Sequence, residues 1–280
     1  RSPHLSDSFR HPRASPWRRH PVTHCTDELQ GKLVCLLPIT LIASNAQPPE
    51  TQRISNYGLS SNRICAVFVT IDYTLYEWMA IKTGHKGTRE ELEALIVKLF
   101  IHVNAIFKPV DFGGIRGINF MIAGFKIWKY KEEPFNPFKE ETTDSDEFLR
   151  WHAKQDHSKY CLSFLFTFRY GGGTIHGLAF SCFLCTLSTR GESYNTGMIT
   201  FRTNGSEWHL TLALELGHSL GSEHDQQVVE SGMKEYEKYP ECASTDEGDF
   251  LMHPFANDGY KKNNHLFSPC SIRNITRNLR

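Results

Sequence analysis

Residues 211–225 read Thr211-Leu212-Ala213-Leu214-Glu215-Leu216-Gly217-His218-Ser219-Leu220-Gly221-Ser222-Glu223-His224-Asp225. The apolar positions Leu210, Ala213, Leu214, Gly217 and Gly221 recur at helical spacing, so this stretch predicts a helix with a packed face. Leu214 and His218 are four residues apart and share one side of it. Glu215 sits beside that side. Gly221 suits a left-handed residue that ends the helix, after which the chain turns and brings His224 back toward His218. A lone Glu-x-x-His on such a stripe is more often core than site, so the reading rests on whether the rest of the chain agrees with it.

The flanking sequence supplies a sheet and further helices. Cys65–Ile71 is β-branched and aromatic, as strands are. Thr88 and Glu91 have capping-box spacing. They precede Leu92, Leu95, Ile96, Leu99, Val103, Ile106 and Phe107, the face of a long amphipathic helix. Ile118, Phe120 and Ile122 alternate as a strand. The acidic run 140–147 is a surface loop, and Phe148–Gln155 a short helix. Cys161–Phe168 and Thr174–Phe180 read as strands joined by Gly171-Gly172-Gly173, which lacks the Lys-Ser/Thr of a phosphate loop. Met198–Arg202 is another short strand. Helices interleaved with strands predict an α/β fold.

Residues 1–63 are rich in Arg, His, Pro and Ser and read as a leader or unstructured connection, with the ordered domain spanning 64–280. Leu33–Ala43 is apolar and followed by Ser44-Asn45-Ala46, a signal-like segment over 33–46; a buried strand is the other reading. No run reaches the ~20 apolar residues a membrane helix needs, so no membrane span is expected. The formal net charge of zero provides no basic footprint for nucleic acid. The eight cysteines are scattered, which suits disulfides in an oxidising compartment. Asn204-Gly205-Ser206 and Asn274-Ile275-Thr276 are glycosylation sequons.

The pattern at 214–224 matches H-E-x-x-H-x-x-G-x-x-H, the metzincin signature, at Glu215, His218, Gly221 and His224. From Cys65 to about Arg277 the chain resembles the adamalysin-type metalloprotease domain of the ADAM proteins, nearest the kuzbanian/alpha-secretase branch and next the TNF-alpha-converting type. Asp225 after the last ligand position, Phe250-Leu251-Met252-His253-Pro254, Asn195–Thr200, Phe267–Ile275 and Gly177-Leu178-Ala179-Phe180 occur in family order. The resemblance implies a twisted mixed sheet with flanking helices and a cleft over the active-site helix. It also implies an extracellular or ectodomain protease acting on extended protein substrates. It makes His218 and His224 ligands of Zn2+, Glu215 the general base, Met252 the Met-turn residue, and Gly177, Leu178 and Ala179 the substrate edge. Disulfides Cys65–Cys161 and Cys242–Cys270 follow from it, while Cys182 or Cys185 matches a cysteine whose partner lies beyond Arg280, leaving one or both free or mispaired. Pairing of Cys25, Cys35, Cys182 and Cys185 stays open.

Leu214 breaks the pattern, because leucine cannot bind metal. Zinc is then expected to be weakened or lost. The chain reads either as an impaired metalloendopeptidase or as a pseudoprotease that binds peptides or protein partners. Of the other histidines, His209 falls on the opposite side of the helix and His253 is the one nearer candidate for a replacement ligand.

Overall fold

The computed structural model describes residues 63–169, 176–183, 191–202, 207–225, 239–255 and 257–280. The 33–46 segment, the three-glycine turn, the first sequon and Cys25, Cys35 and Cys185 lie outside these. A five-stranded sheet runs in the order β2-β1-β3-β5-β4, made of β1 (Arg63–Ile71), β2 (Ile118–Ile127), β3 (Leu162–Thr167), β4 (Gly177–Ala179) and β5 (Thr196–Thr200). The first four in that order pair in parallel, and β4 pairs antiparallel to β5 at the edge. The fold is mixed α/β and metzincin-like, with helices flanking the sheet.

The central strands β3 and β5 are buried at every residue, as parallel strands covered on both faces must be. Their side chains alternate between two cores. Phe164, Phe166 and Ile199 join the main core, whereas Leu165 and Met198 join a smaller one with Tyr73, Trp128, Phe138, Phe148 and Leu149. The expected long helix is α2 (Thr88–Phe107), which buries Leu92, Ile96, Leu99, Phe100, Val103, Ile106 and Phe107.

Its start differs from the expectation. Gly87, at φ 73°, is the N-cap and no side chain caps the helix. The Thr88 hydroxyl is instead buried against Thr83 Oγ1 at 2.9 Å, within a tight turn whose glycines 84 and 87 both have positive φ. The turn joins α2 to α1 (Tyr73–Thr83), which the periodicity does not announce because only Tyr73, Leu75 and Ala80 are buried. Asp72 starts α1 by accepting from Leu75 N–H. The short helix α3 runs Ser145–Ala153, begun by Asp144. The last helix, α5 (Pro269–Leu279), starts at Ser268, whose hydroxyl accepts from Ser271 N–H. Between α3 and α5 lies α4 (Trp208–Ser219), the helix of the quoted stretch.

Both expected disulfides are present, with Cα–Cα distances of 5.3 Å for Cys65–Cys161 and 5.8 Å for Cys242–Cys270. Cys182, whose pairing the sequence left open, is disulfide-bonded. No helix among the described residues is long and apolar enough to cross a membrane.

The two bridges close loops of different length, with sequence separations of 96 and 28. Replacing the Cys65–Cys161 pair by alanine should cost about 4–5 kcal/mol, and the Cys242–Cys270 pair about 3–4 kcal/mol, on the loop-entropy model. Urea unfolding of the two double variants checks the order; a larger loss from the shorter loop would contradict it.

Candidate active site

Helix α4 is buried almost throughout, including Leu210, Leu212, Ala213, Glu215, Leu216, Gly217, His218 and Ser219. It ends as the sequence predicts. Gly221 adopts φ 98°, its N–H bonds to His218 O at 2.8 Å, and Ser222 N–H bonds to Gly217 O at 2.9 Å. These bonds satisfy carbonyls that a helix end otherwise leaves open. Asn278 of α5 donates its Nδ2–H to Leu220 O at 2.8 Å. Its side chain fills the space a Cβ on Gly221 would need, at 2.7 Å.

The turn returns His224 to His218. Their Nε2 atoms are 3.1 Å apart and the rings stand nearly perpendicular, at 83°. Two nitrogens on one tetrahedral zinc, each at ~2.0–2.1 Å, would lie roughly 3.3 Å apart. His218 Nδ1 is 2.7 Å from Ser222 O. A neutral ring donating there keeps its Nε2 lone pair facing His224, the arrangement in which a carbonyl fixes a ligating histidine's tautomer. Burial lowers the pKa of His218. It also pushes His224 down to about 3, with His218 and His253 adding to the effect. Both rings are therefore neutral, as ligands must be.

Asp225 fastens this turn from below. Its N–H bonds to Met252 O at 3.1 Å, and its Oδ1 accepts from Ser268 and Ser271 hydroxyls at 2.5 and 2.8 Å. Burial raises the Asp225 pKa, and the two serine bonds oppose that shift. Met252 is fully buried and lies against α4 where Gly217 has no side chain, so close that a Cβ there would be 2.5 Å from its Sδ.

Glu215 is buried beneath β4. A Cβ on Gly177 would meet Glu215 Oε1 at 2.6 Å, so glycine is what allows the strand to pass over the carboxyl. Burial pushes the Glu215 pKa up to about 8, and Oε2 has no hydrogen-bond partner among the described residues. Gly177, Leu178 and Ala179 are half-buried, and β4 ends the strand order, with one side unpaired among the described residues. Cys182 N–H bonds to His218 O at 3.2 Å, tying the segment after β4 to the end of α4.

Leu214 occupies the position one turn before His218, half-buried and packed against the main core. Among the described residues no three His, Cys, Asp or Glu side chains gather to hold a metal ion. His253 acts electrostatically on His224, and its Nε2 is 3.8 Å from Asp249 Oδ1, but it does not complete such a set. His209 faces away, its ring centroid 5.0 Å from that of His102 and 5.9 Å from that of His265. Sequence reasoning missed Ser268, Ser271 and Asn278. The Ser-Pro start of α5 was the available signal for the first two; nothing local pointed to Asn278.

This combination of mixed sheet, buried Glu-x-x-His helix, glycine turn and underlying methionine defines a class. The profile of Metallo-peptidase family M12B, Reprolysin-like, matches residues 90–280, and the chain belongs to that family. It is 33% identical over 255 residues to the disintegrin and metalloproteinase domain-containing protein 10 homolog of Caenorhabditis elegans, covering 78% of this chain and 26% of the relative. It is 32% identical over 256 residues to the human disintegrin and metalloproteinase domain-containing protein 10, covering 84% and 32%. The disintegrin and metalloproteinase domain-containing protein 17 homolog of C. elegans is 24% identical over 267 residues, covering 81% and 37%. The chain thus spans 26–32% of the length of the protein 10 relatives.

The contact between Gly217 and Met252 should be intolerant of bulk. Gly217→Ala should destabilise the domain by about 1–3 kcal/mol, the usual cost of overpacking a filled core, despite alanine's better helix propensity. Thermal unfolding checks this, and a stabilised variant would refute the packing described.

Proposed function

We propose that this chain is a metalloendopeptidase domain with a degenerate metal centre, which engages extended protein segments along β4 but hydrolyses them slowly or not at all. The observation that carries the reading is the donor set: His218 and His224 converge at 3.1 Å while the third position, one turn back on α4, is Leu214. Catalytic zinc sites use three protein ligands and an open position. Two imidazoles beside an apolar wall do not fit a resident catalytic zinc, so no hydrolytic step is assigned through it. Weakened or lost Zn2+ binding follows. The limiting form of this reading is a pseudoprotease.

Peptide engagement rests on separate ground. An edge strand offers unpaired backbone groups for β-augmentation, and β4 lies directly over Glu215. In a centre with its metal restored, Glu215 is the group placed to take a proton from an attacking water. The disulfides favour an extracellular setting, whether secreted or as an ectodomain, because such bonds persist in oxidising compartments. The segment before the domain is read as its leader.

Restoration of the missing imidazole tests this. Leu214→His should turn a chain with little or no peptidase activity into one that cleaves extended peptides. Adding Glu215→Gln should remove about 10²–10⁴-fold of that activity while the metal stays bound. Full activity in the natural chain, unchanged by Leu214→His, would overturn the proposal.

A further inference from the structure

A second histidine pair lies buried away from the cleft. His152, in the last turn of α3, and His157, just after it, are both nearly inaccessible, with ring centroids 4.4 Å apart. His152 Nε2 is 3.1 Å from Ser163 Oγ on β3, and its Nδ1 has no partner among the described residues. His157 Nε2–H donates to His152 O at 3.1 Å. Among the described residues the first ring's hydrogen-bond partner is a hydroxyl and the second's a carbonyl, and neither has a carboxylate bonded to it.

The residues around this pair hold the start of β5. Ser193 N–H bonds to Ala153 O at 2.6 Å. Its hydroxyl donates to Gln155 O at 2.9 Å and accepts from His157 N–H at 3.1 Å. Asn195 donates its Nδ2–H to His157 O and Tyr160 O at 3.2 and 2.9 Å, and its own carbonyl accepts from Ser163 N–H at 2.9 Å. β5 follows directly and is the strand that pairs with β4. The His152 ring meets Ser163, whose N–H bonds Asn195 O, and the main chain of His157 bonds Ser193 and Asn195, so the segment carrying the imidazole pair is tied by hydrogen bonds to the start of β5 and through it to the β4 edge.

We propose that His152 and His157 form an acid-released latch that sets how firmly β5 and its β4 edge are held. Protonating either ring places a charge in a buried site with no counter-ion bonded to it, next to a second ring 4.4 Å away. Unpaired buried charge is costly, and opening the segment 153–161 relieves it. The groups facing the pair are few. Asp156 acts on His157 and favours its charged form, but its carboxylate is exposed and bonded to Ser158 N–H, with Lys159 beside it. From β3 comes Ser163, and from the segment before β5 come Ser193 and Asn195. On the outer side of α3 the Arg150–Glu192 ion pair, at 3.0 Å, ties α3 to the same segment and is untouched by histidine protonation. The flanking rings are Phe138 beside His152 and Phe68 beside His157, with Tyr160 stacked on Phe68.

The direction follows from linkage. Burial holds both histidines below their ordinary 6.5. The folded state then binds fewer protons than the open one below that pH, so the latch is fully formed above 6.5 and loses stability as pH falls from there toward the folded values. This consequence for substrate rests on β4 being the docking edge, but the latch itself is measurable without a peptide.

Hydrogen exchange on the whole chain, corrected for intrinsic rates, makes the test. On going from about pH 7.5 to about pH 5, the Thr200 and Phe180 amides that bond across β4 and β5 should lose about tenfold or more in protection, with β1 and α2 changing far less. His152→Asn, which cannot take the charge, should shrink that loss to the part His157 alone causes, and His152→Asn with His157→Asn should abolish it. Uniform loss across the domain, no loss at the edge, or an unchanged loss in the variants would each overturn the proposal. Should the variants fail to fold, the ring-proton titrations of the natural chain decide instead: both histidines below 6.5 supports the latch, and either at or above it refutes it. Failure of peptides to bind at either pH, with the exchange result intact, would instead count against β4 as a docking edge.

Discussion

Helix α4 and the Met252 segment meet where a hydrogen atom is all that fits. Gly217 lets Met252 seat against the helix backbone, and Met252 O then holds Asp225 N–H. The turn carrying His224 is thereby fixed relative to the helix carrying His218. Asp225 is fixed in turn by Ser268 and Ser271, which begin α5, and Asn278 near the end of α5 closes on the C-terminus of α4. One close approach thus orders three segments far apart in sequence, and the two imidazoles meet because of it. Packing of this density leaves little room for adjustment, which is why the pair is pre-positioned by the protein alone.

On that frame the chemistry is uneven. In the proposed reading the scaffold of a hydrolytic centre is kept: a neutral imidazole oriented by a carbonyl, a glycine turn, an underlying methionine and a buried carboxyl beneath an edge strand. In the same reading the donor count is not kept. Glu215 illustrates the consequence, since a carboxyl with one oxygen unpartnered among the described residues and its pKa pushed to about 8 is a feature that stability alone does not favour. Groups held in this way mark functional sites more often than structural ones. Leu214 interrupts the same site with a side chain whose contacts are those of core.

The sequence revealed the elements with strong local signals and hid those built by tertiary contact. The α2 periodicity, the β1 composition and the Gly221 turn were legible because each is a local physical preference. The disulfide pairs were legible only through family resemblance, since eight cysteines do not declare their partners. Helix α1 was not legible, because three buried residues leave no stripe. The capping box at Thr88 misled because the Thr83 hydroxyl took the place of the backbone partner. Arg169, just after β3, reaches Asp72 at the start of α1 at 3.2 Å and Phe138 O in the loop before α3, contacts 97 and 31 residues apart in sequence. No local pattern encodes such contacts. Nor does any local pattern reveal that His152 and His157 face each other.

The account turns on whether two imidazoles and a leucine retain a metal. The zinc content of the purified, unmodified chain after dialysis against a metal-buffered solution measures this directly. Far less than one ion per chain is the predicted result. A stoichiometric ion that resists dialysis would contradict the account and place a third ligand where the present geometry has none, with His253 the first side chain to examine.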